Sequence, residues 1–209
     1  MNKAAVIWDL DGTLIDSYEV IVCSIYEVTS KYKIPYDKIT ILNYIKNKSV
    51  QEFLIMISMQ NNIDYKKIKN EYSNLSNMRT YELKPLLNAE KILKVVLEKD
   101  MMNFIYTHKG ITTLEVLKNN GLIDYFDEII TSDNGFKRKP SPEALRYLID
   151  KYSLKKESTY YIGDRSIDIE CAKNAGVKSV LISTDEEENI DAEYVVGDLL
   201  EIQNIISQH

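Results

Sequence analysis

The sequence predicts an α/β fold: a parallel sheet with helices on both faces, interrupted near its start by a small all-helical domain. Three observations carry this. A first apolar run, Val6-Ile7-Trp8, ends abruptly in Asp9-Leu10-Asp11-Gly12-Thr13. From about Pro85 onward, strand-like and helix-like segments alternate in the rhythm of βα units, which sets successive strands parallel. Between the two lies a stretch rich in Ile, Tyr, Asn and Lys, poor in glycine and patterned at helical spacing. The expected domains are therefore residues 1–16 with 85–209 as the α/β core, and residues 17–84 as a helical insertion.

Within the insertion, Tyr18 to Lys33, Ile39 to Lys46, Val50 to Gln60 and Tyr65 to Arg79 each place apolar residues three and four apart. That spacing predicts four helices packed as a bundle. Its tyrosines sit at helix spacing without interleaved basic clusters, the pattern of amphipathic packing and not of a base-stacking platform.

The core then reads in order. Asn88 to Lys99 is a helix, Met102 to Thr107 a strand, Ile111 to Asn119 a helix closed by Gly121, and Glu128 to Thr131 a short strand. Ser141 to Lys151 is a helix, Thr159 to Gly163 a strand, and Ile167 to Asn174 a helix stopped by Gly176. Ser179 to Ile182 and, more weakly, Glu193 to Val196 are strands before a last helix. In such sheets, ligand sites gather at the carboxyl ends of the strands.

Composition bounds the function. A chain of 209 residues, 44% hydrophobic, can bury one sizeable core or a core carrying a smaller domain. A formal charge of -6 gives no general attraction for nucleic acid, so a small anionic ligand needs a local positive site. Cys23 and Cys171 lie far apart without a CxxC pattern, which suggests packing residues in a reducing compartment. The apolar run Phe53 to Ile57 is far short of the roughly 20 residues that span a bilayer, and no leader pattern opens the chain. We expect a soluble cytoplasmic protein without membrane or nucleic-acid partners; the oligomeric state is not legible.

Four segments carry the chemistry. Asp9 and Asp11 sit two apart at a strand end, where like charges repel unless a metal ion or shared proton relieves them. Asp-Gly after an apolar run is equally the mark of a hairpin turn with Asp11 and Gly12 at positive φ, and this segment alone leaves both readings open. Thr107 ends a β-rich run just before a helix, where its hydroxyl can donate to a phosphate oxygen or simply cap the helix. His108, next to it, can reach a cleft or pack against the helix.

Lys139, in Lys137-Arg138-Lys139-Pro140, is held in an extended approach by the proline that follows. It can neutralise a phosphoryl group or damp repulsion between acids, whereas Lys137 and Arg138 read as solvated charges. In Gly163-Asp164-Arg165-Ser166-Ile167-Asp168, two carboxylates one helical turn apart can approach one oxygen-preferring cation, directly or through water. Asp164 alone also suits a helix cap. His209 has no evident role.

Taken together, Asp9-Leu10-Asp11-Gly12-Thr13, Thr107, Lys139 and Gly163-Asp164 through Asp168 resemble the four signature motifs of the haloacid dehalogenase (HAD) superfamily, in that family's order. The resemblance covers nearly the whole chain, because the insertion falls where the family's first cap subclass carries a helical cap. It is similar to the phosphoglycolate phosphatase-like and β-phosphoglucomutase-like members, which implies a Rossmann-like core.

By that resemblance, Asp9 is expected to be the nucleophile that forms an aspartyl-phosphate, and Asp11 the general acid and base. Mg²⁺ is the implied cofactor, held by the carboxylates of Asp9 and Asp164 and the carbonyl of Asp11, with Asp168 a ligand through water or an orienting neighbour. Backbone N–H groups near Leu10 to Thr13, the Thr107 hydroxyl and the Lys139 ammonium are expected to stabilise the transferring phosphoryl group.

The second aspartate argues for phosphoryl transfer over dehalogenation, since a halide leaving group needs no acid. The cap segment Ile45 to Val50 lies near where related caps place a specificity loop. It has Asn47 and Val50 where the mutase-like pattern has Lys-Gly and a nearby arginine, which favours a phosphatase of a small phosphorylated metabolite. Lys46 and Lys48 are candidate substrate contacts, or exposed helix-end lysines. A β-phosphoglucomutase-like transferase, a phospho-accepting receiver module and a phosphate-binding relative without turnover stay as alternatives.

Overall fold

The structure, a computed structural model, describes residues 3–184 and 190–207 of the chain. His209 lies outside the described residues. The chain divides into two compact units, Met1–Asp16 with Lys84–His209, and Ser17–Leu83.

In the larger unit the strands are β1 (Lys3–Trp8), β2 (Ile15–Asp16), β3 (Lys84–Pro85), β4 (Met102–Tyr106), β5 (Glu128–Ile130), β6 (Leu154–Gly163), β7 (Lys178–Ile182) and β8 (Tyr194–Val196). Six of them form one sheet in the order β5-β4-β1-β6-β7-β8. Every neighbouring pair in it is parallel. β1 therefore lies inside the sheet, and Ala5 to Trp8 are fully buried, which is why this strand reads as a continuous apolar run and does not alternate.

The helices are α1 (Tyr18–Lys31), α2 (Lys38–Asn47), α3 (Val50–Gln60), α4 (Tyr65–Met78), α5 (Ala89–Glu98), α6 (Thr112–Asn119), α7 (Glu143–Tyr152), α8 (Ser166–Ala175) and α9 (Ile202–Ile206). Side chains of a strand alternate between faces. Ala5, Ile7, Phe104, Tyr106 and Tyr161 join Leu145 and Leu148 of α7 and Cys171 and Ala172 of α8 in one buried cluster. On the opposite face, Asn103 reaches the Leu93 carbonyl of α5 and the Tyr160 hydroxyl reaches the Ile205 carbonyl of α9. Helices thus cover both faces, the doubly wound arrangement that the βα rhythm predicts.

Most boundaries shift from the sequence reading by one or two residues, and two of the shifts have a clear cause. β6 starts at Leu154 and not at Thr159, because Lys155 to Glu157 point to solvent while their backbone stays extended, and the pairing with β1 shifts register between Lys3 and Ala5. α7 starts at Glu143 and not at Ser141, since Pro142 pushes the residue before it away from helical geometry. The hairpin alternative at Asp11-Gly12 is overturned. Among the described residues β1 pairs only with β4 and β6, no segment folds back on it as a hairpin, and of Asp11 and Gly12 only Gly12 takes positive φ, 79°.

β2 and β3 form a separate antiparallel ribbon, Ile15 opposite Pro85 and Asp16 opposite Lys84. The helical unit leaves and re-enters the chain at these strands. Within that unit, Ile25, Ile41, Ile45, Phe53, Leu54, Ile57 and Ile68 form its own buried cluster. Tyr36 and Tyr44 meet Phe53 edge-on at 5.1 and 5.2 Å between ring centroids. Asp37, Ser49 and Asp64 cap α2, α3 and α4 by accepting from Thr40, Glu52 and Lys66 backbone N–H groups. Among the described residues no helix is long and apolar enough to cross a membrane.

Candidate active site

The site lies at the carboxyl ends of β1, β4 and β6. Asp9 directly follows β1, donates its backbone N–H to the Ile162 carbonyl of β6 at 2.8 Å, and is only 2% exposed. Beyond it the chain winds around one acceptor: the Leu10 carbonyl receives N–H bonds from Thr13, Leu14 and Ile15. Gly12 makes this coil possible, because its φ of 79° is left-handed. Thr13 is fully buried, and its hydroxyl has no hydrogen-bond partner among the described residues.

Lys139 brings distant segments together. Its Nζ, wholly buried, donates to Asp9 Oδ1 and to Asp168 Oδ1, both at 2.7 Å. The rings of Tyr106 and Tyr161 stand 5.1 and 5.3 Å from the same ammonium. Asp168 is in the first turn of α8 and fully buried. It rests on Gly163, where a Cβ would come within 2.3 Å of the Asp168 Cβ, so glycine is the only residue that fits that strand end. Asp9, Asp164 and Asp168 each offer a carboxylate oxygen, and these oxygens lie within 4.8 Å of one another.

Burial dominates the electrostatics. It pushes the Asp9 carboxyl up to about 6; Lys139 opposes the rise and Asp168 adds to it. Burial alone would lower the Lys139 ammonium, but the carboxylates of Asp168 and Asp9 outweigh it and the net shift is upward. The lysine is thus held charged between its two acids.

Oxygen ligands alone, three of them carboxylates, are what a hard divalent cation takes. Asp168 Oδ2 is buried without a hydrogen-bond partner among the described residues, an acceptor that a cation would satisfy. The residues present fit such an ion. Asp11 stands apart from this group, its Oδ1 taking a bond from Lys109 Nζ at 3.2 Å.

Thr107 is buried at the end of β4, and its hydroxyl accepts from the Lys109 N–H at 3.1 Å. It does not cap the following helix, because α6 begins only at Thr112 after a loop. His108 is turned to the lysine loop: its Nε2 accepts from the Lys139 backbone N–H at 2.9 Å. Burial, then the charges of Lys139, Arg138 and Arg165, drive its pKa down to about 2, so it is a neutral acceptor. The structure therefore gives His108 a task in placing Lys139. Lys46 belongs to the helical unit, exposed at the end of α2, with its Nζ 5.2 Å from the Tyr18 ring.

Three site residues escape a reading of the sequence. Lys109 is one lysine in a loop, Tyr161 passes for an apolar strand residue, and Arg165 shows only through its charge acting on Asp9, Lys139 and His108. Only the alternation of β6, which sends Tyr161 to the same face as Gly163, carried a signal for any of them.

Residues 6–182 match the family of haloacid dehalogenase-like hydrolases. A pyrophosphatase PpaX from Halalkalibacterium halodurans is 26% identical over 99% of this chain and 98% of its own length. One from Bacillus mycoides is 29% identical over 88% of this chain and 85% of its own. Among solved structures, a "predicted phosphoglycolate phosphatase" from Haemophilus somnus shares the fold with a TM-score of 0.85 at 19% identity, covering 98% of each chain.

Proposed function

This chain belongs to the haloacid dehalogenase-like hydrolase family, and from that premise we propose that it is a Mg²⁺-dependent phosphatase of a small phosphorylated metabolite, working through an aspartyl-phosphate on Asp9. The observation that carries this reading is the buried Lys139, bonded at 2.7 Å to Asp9 and to Asp168 at the end of the central strand. It keeps an anionic nucleophile in a site that an anionic phosphoryl group must enter.

Asp9, Asp164 and Asp168 supply the oxygens that would hold Mg²⁺, and when bound the ion shields the nucleophile from the charge of its substrate. The chain's own groups do the rest. A carboxylate oxygen of Asp9 attacks phosphorus, and the bond from phosphorus to the leaving oxygen breaks as Asp11 gives that oxygen a proton. Asp11 then takes a proton from water, whose oxygen attacks the same phosphorus. The bond to Asp9 breaks, releasing inorganic phosphate and restoring both acids. The backbone N–H groups of Leu10 and Asp11, the Thr107 hydroxyl and the Lys139 ammonium balance the charge that spreads over the phosphoryl oxygens, while those of Gly12 to Ile15 are spent on carbonyls of the loop itself.

A phosphate-release screen over phosphorylated metabolites and inorganic pyrophosphate, with Mg²⁺ present, tests the proposal. Pyrophosphate is included because the relatives named above are called pyrophosphatases. Asp9→Asn should abolish release while circular dichroism stays that of the wild type, and chelation should silence the wild type reversibly. Turnover retained in Asp9→Asn would sink the mechanism. A product that carries phosphate on another sugar position, in place of free phosphate, would turn the assignment to a mutase.

A further inference from the structure

Tyr161 is used by no step above, yet it is wholly buried and lies against both partners of the lysine bridge. Its hydroxyl faces Asp168 Oδ1 at 3.2 Å and the Tyr106 carbonyl at 3.2 Å, and its ring stands 5.3 Å from Lys139 Nζ. Asp168 is therefore held in three ways. Its Cβ is seated on Gly163, its Oδ1 takes the Lys139 ammonium at 2.7 Å, and the same oxygen shares the one hydroxyl hydrogen of Tyr161 with the Tyr106 carbonyl.

We propose that Tyr161 is a positioning residue for the divalent cation: it commits one oxygen of Asp168 to Lys139 and so keeps the other, Oδ2, for the metal. The proposal rests on the reading that Asp9, Asp164 and Asp168 hold that ion. Lys139 and a cation compete for the same carboxylates, and an ammonium next to a free carboxylate attracts both of its oxygens. A second donor on Oδ1, fixed in the sheet by β6, holds the plane of the carboxylate against that turn. The rings of Tyr106 and Tyr161, 5.1 and 5.3 Å from Nζ, flank the same ammonium. Groups that orient a ligand without touching the metal typically govern affinity by about 10- to 100-fold.

The test is a titration of the full chain, stripped of metal and without substrate, with Mg²⁺ followed by calorimetry and Mn²⁺ by electron paramagnetic resonance. Tyr161→Phe, which keeps the ring, should bind either ion at least about 10-fold more weakly than the wild type. Tyr160→Phe removes an equally buried hydroxyl from the same strand, one that reaches the Ile205 carbonyl at 3.5 Å, and should bind like the wild type. Replacing Tyr161 by 4-aminophenylalanine restores a donor and should recover the affinity, including where Tyr161→Phe folds poorly. With aryl phosphate as substrate, turnover by Tyr161→Phe should rise toward the wild-type value as Mg²⁺ is raised, with KM unchanged at saturation. Equal affinity in Tyr161→Phe and wild type overturns the proposal and leaves the cation site standing. A wild type that binds neither ion, or binds them unchanged in Asp168→Asn, overturns the cation site and the proposal together.

Discussion

Lys139 ties the stability of the core to the chemistry proposed for it. Removing it in Lys139→Met leaves Asp9 and Asp168 buried side by side without a counter-charge, a loss of about 3–5 kcal/mol when one partner of a buried pair goes. Urea denaturation of the metal-free protein should show a midpoint well below wild type, and turnover should vanish. His108 acts on the same lysine through its backbone. Its pKa lies near 2 in the folded protein against its ordinary 6.5, chiefly through burial, so the unfolded chain takes up a proton there that the folded one refuses. Stability from this site is full above about pH 6.5 and falls as pH drops, by at most about 1.4 kcal/mol per pH unit. The stability of His108→Asn, which keeps an acceptor for the Lys139 N–H, should decline less steeply than wild type between pH 6 and 4 in the same denaturation assay.

At the level of elements, the turn from β6 into α8 is the tightest joint of the site. Gly163→Ala puts a methyl group 2.3 Å from the Asp168 Cβ, so either the strand end or the first turn of α8 must move. Overpacking of this kind costs about 1–3 kcal/mol, and a displacement near 1 Å at a reacting group costs about 100-fold in rate. Melting temperature and kcat should therefore both fall, the rate far more. Elements with strong local signals are legible in the sequence: Val50 to Gln60 forms the expected helix behind its Ser49 cap. The start of β6 is not legible, because its exposed Lys155-Lys156-Glu157 carry no apolar pattern although they lie within the strand. The site divides similarly. Asp9, Lys139 and Asp168 stand out by motif order and prove to be in contact, whereas Lys109 meets Asp11 across 98 positions, which spacing along the chain does not encode, and Tyr161 shows only through the alternation that puts it on the face of Gly163.

For the molecule as a whole, the two units have separate hydrophobic clusters, and the helical one joins the other through strands whose ends are paired, Asp16 opposite Lys84. Replacing residues 17–83 by a short Gly/Ser link should leave a core that melts cooperatively and keeps its α/β circular dichroism, since the ends to be joined are already neighbours. Loss of the cooperative transition would show that the larger unit needs the insertion to fold.

The central place of β1 also has a meaning in time. Of the six strands of the sheet, this one is made before the others, yet one of its neighbours is β6, some hundred and fifty residues later, and Asp9 sits at its tip. β4 can pair one edge of β1 earlier, but the other edge waits for β6, and no nascent chain that stops short of Asp168 can gather Asp9, Asp164 and Asp168 around one point. A chain lacking α8 therefore has no gathered acidic site, however much of its sheet has formed.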